Sequence, residues 1–325
     1  MFHGNLDYYT ALGLKELKAR ILKENIPSSQ LDKSINVATW NIREFGKSKR
    51  RKESLHYIAE ILGQFDLIAV TEVRKNISQL KQILDILGPY WKVVFSDYTL
   101  DRGGNGERMA YLYDKRAVVF TGLAAEADPP RKKNKKTGEY EALLTWWRPP
   151  FIASFSAGNF DFILMSVHIR WGNKISERRD ALKRLALWVD KKRKDAYSVD
   201  KDIIIMGDFN IPKIDDPLFQ AITSKGLRIP ESIRGLEYGS NLAKNKRYDQ
   251  IFYYPKHTKS FTNNGGILDF HTGGIEKLYP KNTPDSRSYT YEMSDHLPLW
   301  VQLNINLEDE KLEQILQKKR PKQIG

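Results

Sequence analysis

Cysteine does not occur in the 325 residues. Disulfides, thiolate metal ligands and a cysteine nucleophile are therefore excluded, and the redox compartment is left open. Long apolar runs are absent too, so nothing in the chain is built to span a bilayer as a helix. The opening stretch MFHGNLDYYTALGLKELKAR lacks the basic-then-apolar order of a secretory leader. A cytoplasmic location is the default expectation. Acidic residues are in short supply: 40 Asp and Glu face 53 Lys and Arg, a net charge of +13. Such a surface favours polyanions, nucleic acid or an anionic membrane face, although many soluble proteins are basic without such a partner.

What is present describes an ordinary globular chain. Hydrophobic residues make up 41% and charged residues 29%, enough for a sizeable core in one large α/β domain or two small ones. No internal repeat or linker divides it. Residues 1–33 read as a helical extension, with Leu14, Leu17, Ile21 and Leu22 at helical spacing and Pro27 as the stop. This helix is expected to pack on the domain or on a protein partner. Residues 34–305 form the main domain, and 306–325 a terminal helix with a basic tail. Residues 121–139 read as an excursion carrying the basic run RKKNKK, either a solvated loop or a phosphate contact. Residues 262–285, rich in Gly and Asn, read as loop. Trp146 and Trp147, beside Arg148, are expected to cap the core rather than to stack on bases.

The chain's chemistry gathers around KDIIIMGDFNIP. Ile203, Ile204, Ile205 and Met206 form a buried-strand pattern, broken by Gly207 and followed by Asp208 and Asn210. Alternation along extended backbone puts Asp208 and Asn210 on one side and Phe209 on the other. Alone, this stretch reads equally well as a polar turn. Other strands end in the same way. INVATWN ends at Asn41, FDLIAVT leads to Glu72, and FDFILMSV leads to His168. RYDQIFYY places Asp249 at its start, ERMAYLY places Glu107 at its start, and Asp295-His296 precede the last strand. Strand ends of stacked sheets can converge in one cleft. Carboxylates and amides without thiols suit a hard cation such as magnesium, manganese or calcium, and two histidines add acid–base capacity. Together in a basic protein, these groups point to cleavage of a phosphate ester.

The motifs NIREFG, TEVR, ERMAYLY, WRPPF, VH, GDFN, YDQI and SDHLP, in that order, make the chain resemble the endonuclease/exonuclease/phosphatase superfamily, and within it the deoxyribonuclease I branch. That resemblance implies a four-layer α/β sandwich, two packed mixed β-sheets flanked by helices. It implies a divalent-metal-dependent endonuclease, with magnesium the first choice and manganese or calcium as alternatives, acting on DNA and leaving 5′-phosphate and 3′-hydroxyl ends. Glu72, with Asn41 nearby, would hold the metal, and Asp208, Asn210 and Asp295 metal or the scissile phosphate. Glu107 would orient His168 and Asp249 would orient His296. Arg43, Arg74 and Arg148 match positions facing the nucleic acid, and Arg170 is added for its place beside His168. The branch's minor-groove tyrosine is replaced by Asn105. That departure, with the lack of a leader and disulfides, puts double-stranded DNA in doubt as the preferred substrate. Three rivals stand beside this reading: a phosphoinositide or inositol phosphatase or sphingomyelinase-like phosphodiesterase, an abasic-site endonuclease, and a catalytically silent binding module. His168 counts against the second, and the full set of acids and histidines against the third.

Overall fold

Buried runs such as IIIM have no polar side, so both faces of the strand must be covered. The computed structural model, which describes residues 1–100, 103–143, 146–237 and 239–308 together with Leu312, Ile315 and Leu316, meets this with two stacked sheets and outer helices. In chain order the elements begin α1 (Tyr8–Lys23), β1 (Ser34–Phe45), α2 (Lys52–Leu62), β2 (Leu67–Val73), α3 (Ser78–Leu87), β3 (Trp91–Phe95) and β4 (Arg108–Asp114). Next come β5 (Val119–Glu126), the hairpin β6 (Arg131–Lys133) and β7 (Tyr140–Ala142), then β8 (Phe151–Ala157), β9 (Phe160–His168), α4 (Ile175–Lys194) and β10 (Ile203–Asp208). The chain closes with α5 (Pro217–Thr223), α6 (Glu231–Arg234), β11 (Asp249–Phe252), β12 (Phe261–Ile267), α7 (Ile275–Leu278), α8 (Ser286–Glu292) and β13 (Leu299–Asn304). The expected terminal helix and basic tail fall largely outside the described residues.

One sheet runs β12-β13-β1-β2-β4-β3 and the other β11-β10-β9-β8-β5. Both are mixed: β1 pairs parallel to β2 and β9 parallel to β10, while the remaining pairs are antiparallel. The central strands β1 and β2 lie against β9 and β10. Alternation along β10 sorts its apolar run. Ile204 and Met206 join the core shared with β1 and β2, and Ile203 and Ile205 join the core under α4 and α5. Phe209 is fully buried, away from the cleft, as alternation requires.

Helix α1 is capped by Asp7 and docks on the domain itself. Arg20, only 3% exposed, donates to the carbonyls of Phe270, His271 and Gly274 and pairs with Glu16 at 3.0 Å. Gly13 permits this approach, because a Cβ there would stand 2.0 Å from the Tyr57 hydroxyl. Leu22, expected on the apolar face, is instead exposed. Residues 121–139 are more than an excursion. Their first part is β5, an edge strand on β8, and the basic run lies on the β6–β7 hairpin. Residues 262–285 likewise hold β12, the edge of the first sheet, and the short helix α7.

Candidate active site

Neighbouring strands bring the site together by register. His168 at the end of β9 lies opposite Asp208 at the end of β10, and Asp208 lies opposite Asp249 at the start of β11. The close pairing of β9 with β10 depends on Gly207, at φ +137°, since a Cβ there would meet the Val167 carbonyl at 2.0 Å. Across the sandwich, Asn41 on β1 and Glu72 at the end of β2 face the same point. Asn41 Nδ2 donates to Glu72 Oε1 at 3.0 Å and to Asp208 Oδ2 at 3.2 Å.

Asp208 Oδ2 is the hub. His168 Nε2 stands 3.6 Å from it and His296 Nε2 4.0 Å. Each histidine is backed on its other nitrogen: His168 Nδ1 by Glu107 Oε2 at 2.8 Å, and His296 Nδ1 by Asp249 Oδ2 at 2.7 Å. A carboxylate only accepts, so both Nδ1 atoms carry the hydrogen and both Nε2 atoms turn toward the cleft. Asn210 donates from Nδ2 to the Ile169 carbonyl at 2.7 Å, and its backbone N–H donates to Asp208 Oδ1 at 2.8 Å. Ser294 holds the last segment in place, donating to the Asn41 carbonyl at 2.6 Å and accepting from the His296 N–H.

Burial and charge set the proton affinities. Burial resists charge on Glu107, but His168, Arg148 and Arg74 overcome it and hold the carboxyl down at about 2. The Arg148 guanidinium stands 2.7 Å from Glu107 and that of Arg74 3.7 Å. Burial and Arg148 oppose charge on His168, yet Glu107 and Asp208 leave its pKa raised. Burial likewise opposes charge on His296, and Asp249, with Asp208 and Asp295, raises it to about 10. Strain gathers here as well. Glu44, Glu72, Asn105 and Asn210 border the cleft and all have positive φ, between +45° and +63°. Residues other than glycine hold such backbone only where surrounding contacts enforce it.

The cleft holds about 500 Å³ and is lined by Glu72, Arg74, Glu107, Arg148, His168, Arg170, Asp208, Asn210 and His296. Asn41 and Asp249 lie buried beneath it. Arg43 and Asp295 stand apart on a rim beside α8. Arg43 Nη1 is 3.4 Å from Asp295 and 2.6 Å from the Thr290 hydroxyl, and its guanidinium covers the Tyr291 ring at 4.1 Å. Trp147 does not cap the core. It is 51% exposed, with the Arg170 guanidinium 4.1 Å from its ring centre. Two neighbours escaped the sequence reading, Trp171 and Tyr248. Tyr248 lies edge-on to Trp171 and 5.8 Å from the His296 ring. Their signal was available, since Tyr248 directly precedes Asp249 and Trp171 follows His168 by three residues.

The donors suit a hard divalent cation. Among the described residues Asn41 Oδ1 is buried without a hydrogen-bond partner, beside Glu72, whose Oε2 accepts from the Glu44 N–H. Among the described residues no group of three or more His, Cys, Asp or Glu side chains is spaced to hold a metal ion. A cation that keeps much of its water and uses one or two carboxylates plus substrate phosphate, as magnesium does, fits this sparse donor set.

Two carboxylate-backed imidazoles around an acid, with hard oxygens and arginines in one cleft, form a site for hydrolysing phosphate esters. The chain belongs to the endonuclease/exonuclease/phosphatase family, whose model matches residues 38–296. Family members are hydrolytic phosphodiesterases and nucleases, and this chain is an enzyme of that class. A deoxyribonuclease of Thioalkalivibrio sp. (strain K90mix) is 26% identical over 85% of this chain and 72% of its own length. Deoxyribonuclease-1 of Equus caballus is 26% identical over 56% of this chain and 62% of its own length. Among solved structures, a mannosyl-6-phosphatase of Bacteroides thetaiotaomicron VPI-5482 shares the fold, with a TM-score of 0.52 and 19% identity over 83% of this chain and 99% of that one.

Proposed function

We propose that this chain is a divalent-metal-dependent endonuclease that hydrolyses phosphodiester bonds of DNA to 5′-phosphate and 3′-hydroxyl ends. One observation carries the reading: both histidines, each backed by its own carboxylate, present Nε2 within 4.0 Å of a single Asp208 oxygen. That geometry suits an in-line displacement. One Nε2 takes a proton from water as its oxygen bonds to phosphorus. The other Nε2 gives its proton to the 3′-oxygen as the phosphorus–O3′ bond breaks. Glu107 and Asp249 hold the rings and stabilise their charged forms. Arg74, Arg148 and Arg170 position the phosphate backbone. Glu72 and Asn41 would hold a divalent cation, with Asp295 further out on the rim, and such a cation would supply charge to offset the negative charge on the phosphoryl oxygens. The family and the deoxyribonucleases among its relatives support DNA as the substrate.

The test is a paired assay on purified protein with magnesium or manganese. Supercoiled plasmid is expected to be nicked, and His168→Ala and His296→Ala each to abolish nicking. Intact plasmid alongside phosphate release from inositol phosphates would overturn the nuclease reading.

A further inference from the structure

The segment between β5 and β8 leans on α4 through both of its arms. On the first arm, the Asp128 carbonyl accepts from Trp188 Nε1 at 2.9 Å. On the second, Trp146, Trp147 and Arg148 border a groove whose opposite wall is α4, at Arg178, Ala181 and Arg184. His168 and Arg170 also line this groove, so it opens from the catalytic cleft. A second groove runs between Pro129, Pro130 and Arg131 on one side and Arg184, Trp188 and Lys191 on the other. Positions 177, 181, 184, 188 and 191 recur at three- and four-residue spacing, so they form one face of α4. Arg184 lines both grooves, and the two therefore meet on that face.

The charges along this path are unbalanced. Two of its acids are already neutralised: Asp128 by Arg131 at 2.8 Å, and Asp190 by Lys194 at 2.7 Å and Arg193 at 2.5 Å. Arg184, Lys191 and Lys192, with the exposed hairpin lysines Lys132, Lys133, Lys135 and Lys136, form no ion pair among the described residues. They outnumber the acids left without a basic partner (Glu139, Glu141, Glu177, Asp180 and Asp195). Where the path leaves the cleft stand two half-exposed indoles, each backed by a guanidinium: Trp147 by Arg170 at 4.1 Å and Trp171 by Arg178 at 4.0 Å. A solvated charge run needs no aromatic platforms. Exposed rings beside a basic groove are how proteins hold unpaired bases, whose faces are free to stack, whereas a duplex keeps its base faces covered.

We infer that the α4 face and the β6–β7 hairpin form a track for a single-stranded nucleic-acid segment running outward from the catalytic cleft. Its bases stack on Trp147 and Trp171, and its phosphates follow Arg184, Lys191 and the hairpin lysines. The inference rests on the nuclease reading for the cleft, but binding along the track is measured apart from cleavage.

The experiment uses the full chain carrying His168→Ala and fluorescein-labelled oligothymidylates of 6 and 30 nucleotides, followed by anisotropy from 50 to 200 mM salt. The 30-mer is expected to bind at least about tenfold tighter than the 6-mer, because each phosphate neutralised adds counterion release. The combined variant Lys132→Ser/Lys133→Ser/Lys135→Ser/Lys136→Ser is expected to lose most of that gain. Its salt slope is expected to fall by up to about 3, near 0.7 for each single-strand phosphate that no longer meets a lysine. Its 6-mer affinity and thermal midpoint are expected to stay unchanged, as is hydrolysis of bis(p-nitrophenyl) phosphate when the variant is made with His168 intact. A 30-mer lacking bases is expected to bind more weakly than the thymidylate. Equal affinity for 6-mer and 30-mer overturns the track, as does an unchanged 30-mer salt slope in the lysine variant. A 30-base-pair duplex that outcompetes the single strand for the same lysines overturns its single-stranded character. Failure of the nuclease reading shows up differently, as DNA left intact by the protein that retains His168 while binding along the track persists.

Discussion

His168 and His296 flank one aspartate and are each backed by a carboxylate, but their surroundings differ. Glu107 divides its charge among His168, Arg148 and Arg74 and also accepts from Asn105 at 3.2 Å. Asp249 takes a hydroxyl hydrogen from Ser240 at 2.6 Å, and among the described residues its one basic partner is His296. The Arg148 guanidinium beside Glu107 therefore opposes a second positive charge on His168, while among the described residues no guanidinium pairs with Asp249 beside His296. Similar dyads thus become unequal acid–base groups, and a displacement that needs one proton taken and another given calls for that inequality.

Removing either backing carboxylate separates the two dyads most directly. Glu107→Gln removes the carboxylate that His168, Arg148 and Arg74 share and strands the buried Arg148, while Arg74 keeps Glu44 at 3.1 Å and His168 keeps Asp208, and it is expected to cost about 3 kcal/mol of stability or more. Nicking should fall by about two to four orders of magnitude with it. Asp249→Asn is expected to lose a similar share of nicking with a smaller loss of stability, because it strands no arginine. Plasmid assays and urea midpoints at neutral pH separate the two, and equal stability losses would erase the distinction.

The pH dependence of stability also distinguishes the two dyads. His296 has a raised pKa, so its contribution is full below the unfolded value near 6.5 and is lost as pH rises toward about 10. Glu107 has a lowered pKa, so its contribution is full above about 4.5 and is lost as pH falls toward about 2. Urea midpoints measured with a chelator present are expected to decline at both ends. Asp249→Asn should flatten the alkaline limb through His296, and Glu107→Gln the acid limb together with the share of the alkaline limb that His168 supplies. The smallest effect is expected from Arg148→Ala. Without that repulsion the His168 pKa should rise further, seen as an upward move of its imidazole titration by NMR, while His296 stays in place.

The parts of the fold most open to sequence reading were strands with both faces buried, including the edge strand β11 in RYDQIFYY, whose four residues are all buried. β2 and β10 announce themselves as unbroken apolar runs, and β1 and β9 as apolar runs with few polar breaks, because both sides of each strand are covered. Among the strands read as loop or excursion, β5 and β12 are sheet edges and β6 belongs to the separate β6–β7 hairpin. An edge strand pairs on one side only, so VFTGLAAE and FTNNGGI hold together through backbone hydrogen bonds without an apolar pattern. The candidate site was legible for a related reason. Its acids and histidines sit where strands end, and strand ends of stacked sheets meet. Arg43 and Asp295 show the limit, because their neighbours Thr290 and Tyr291 lie on the short helix α8, which carries no apolar period of its own.

By itself, the order of residues determined which side chains could do chemistry and which strands would carry them. Alternation along β10 already put Asp208 and Asn210 on one side and Phe209 on the other. Register and sheet stacking decided the rest: that Asp208 would lie between His168 and Asp249, that Asn41 would reach it across the sandwich, and that two arginines would share Glu107. Those pairings join residues up to 167 positions apart, and only the folded packing of the two sheets sets the distances on which charge and proton affinity depend.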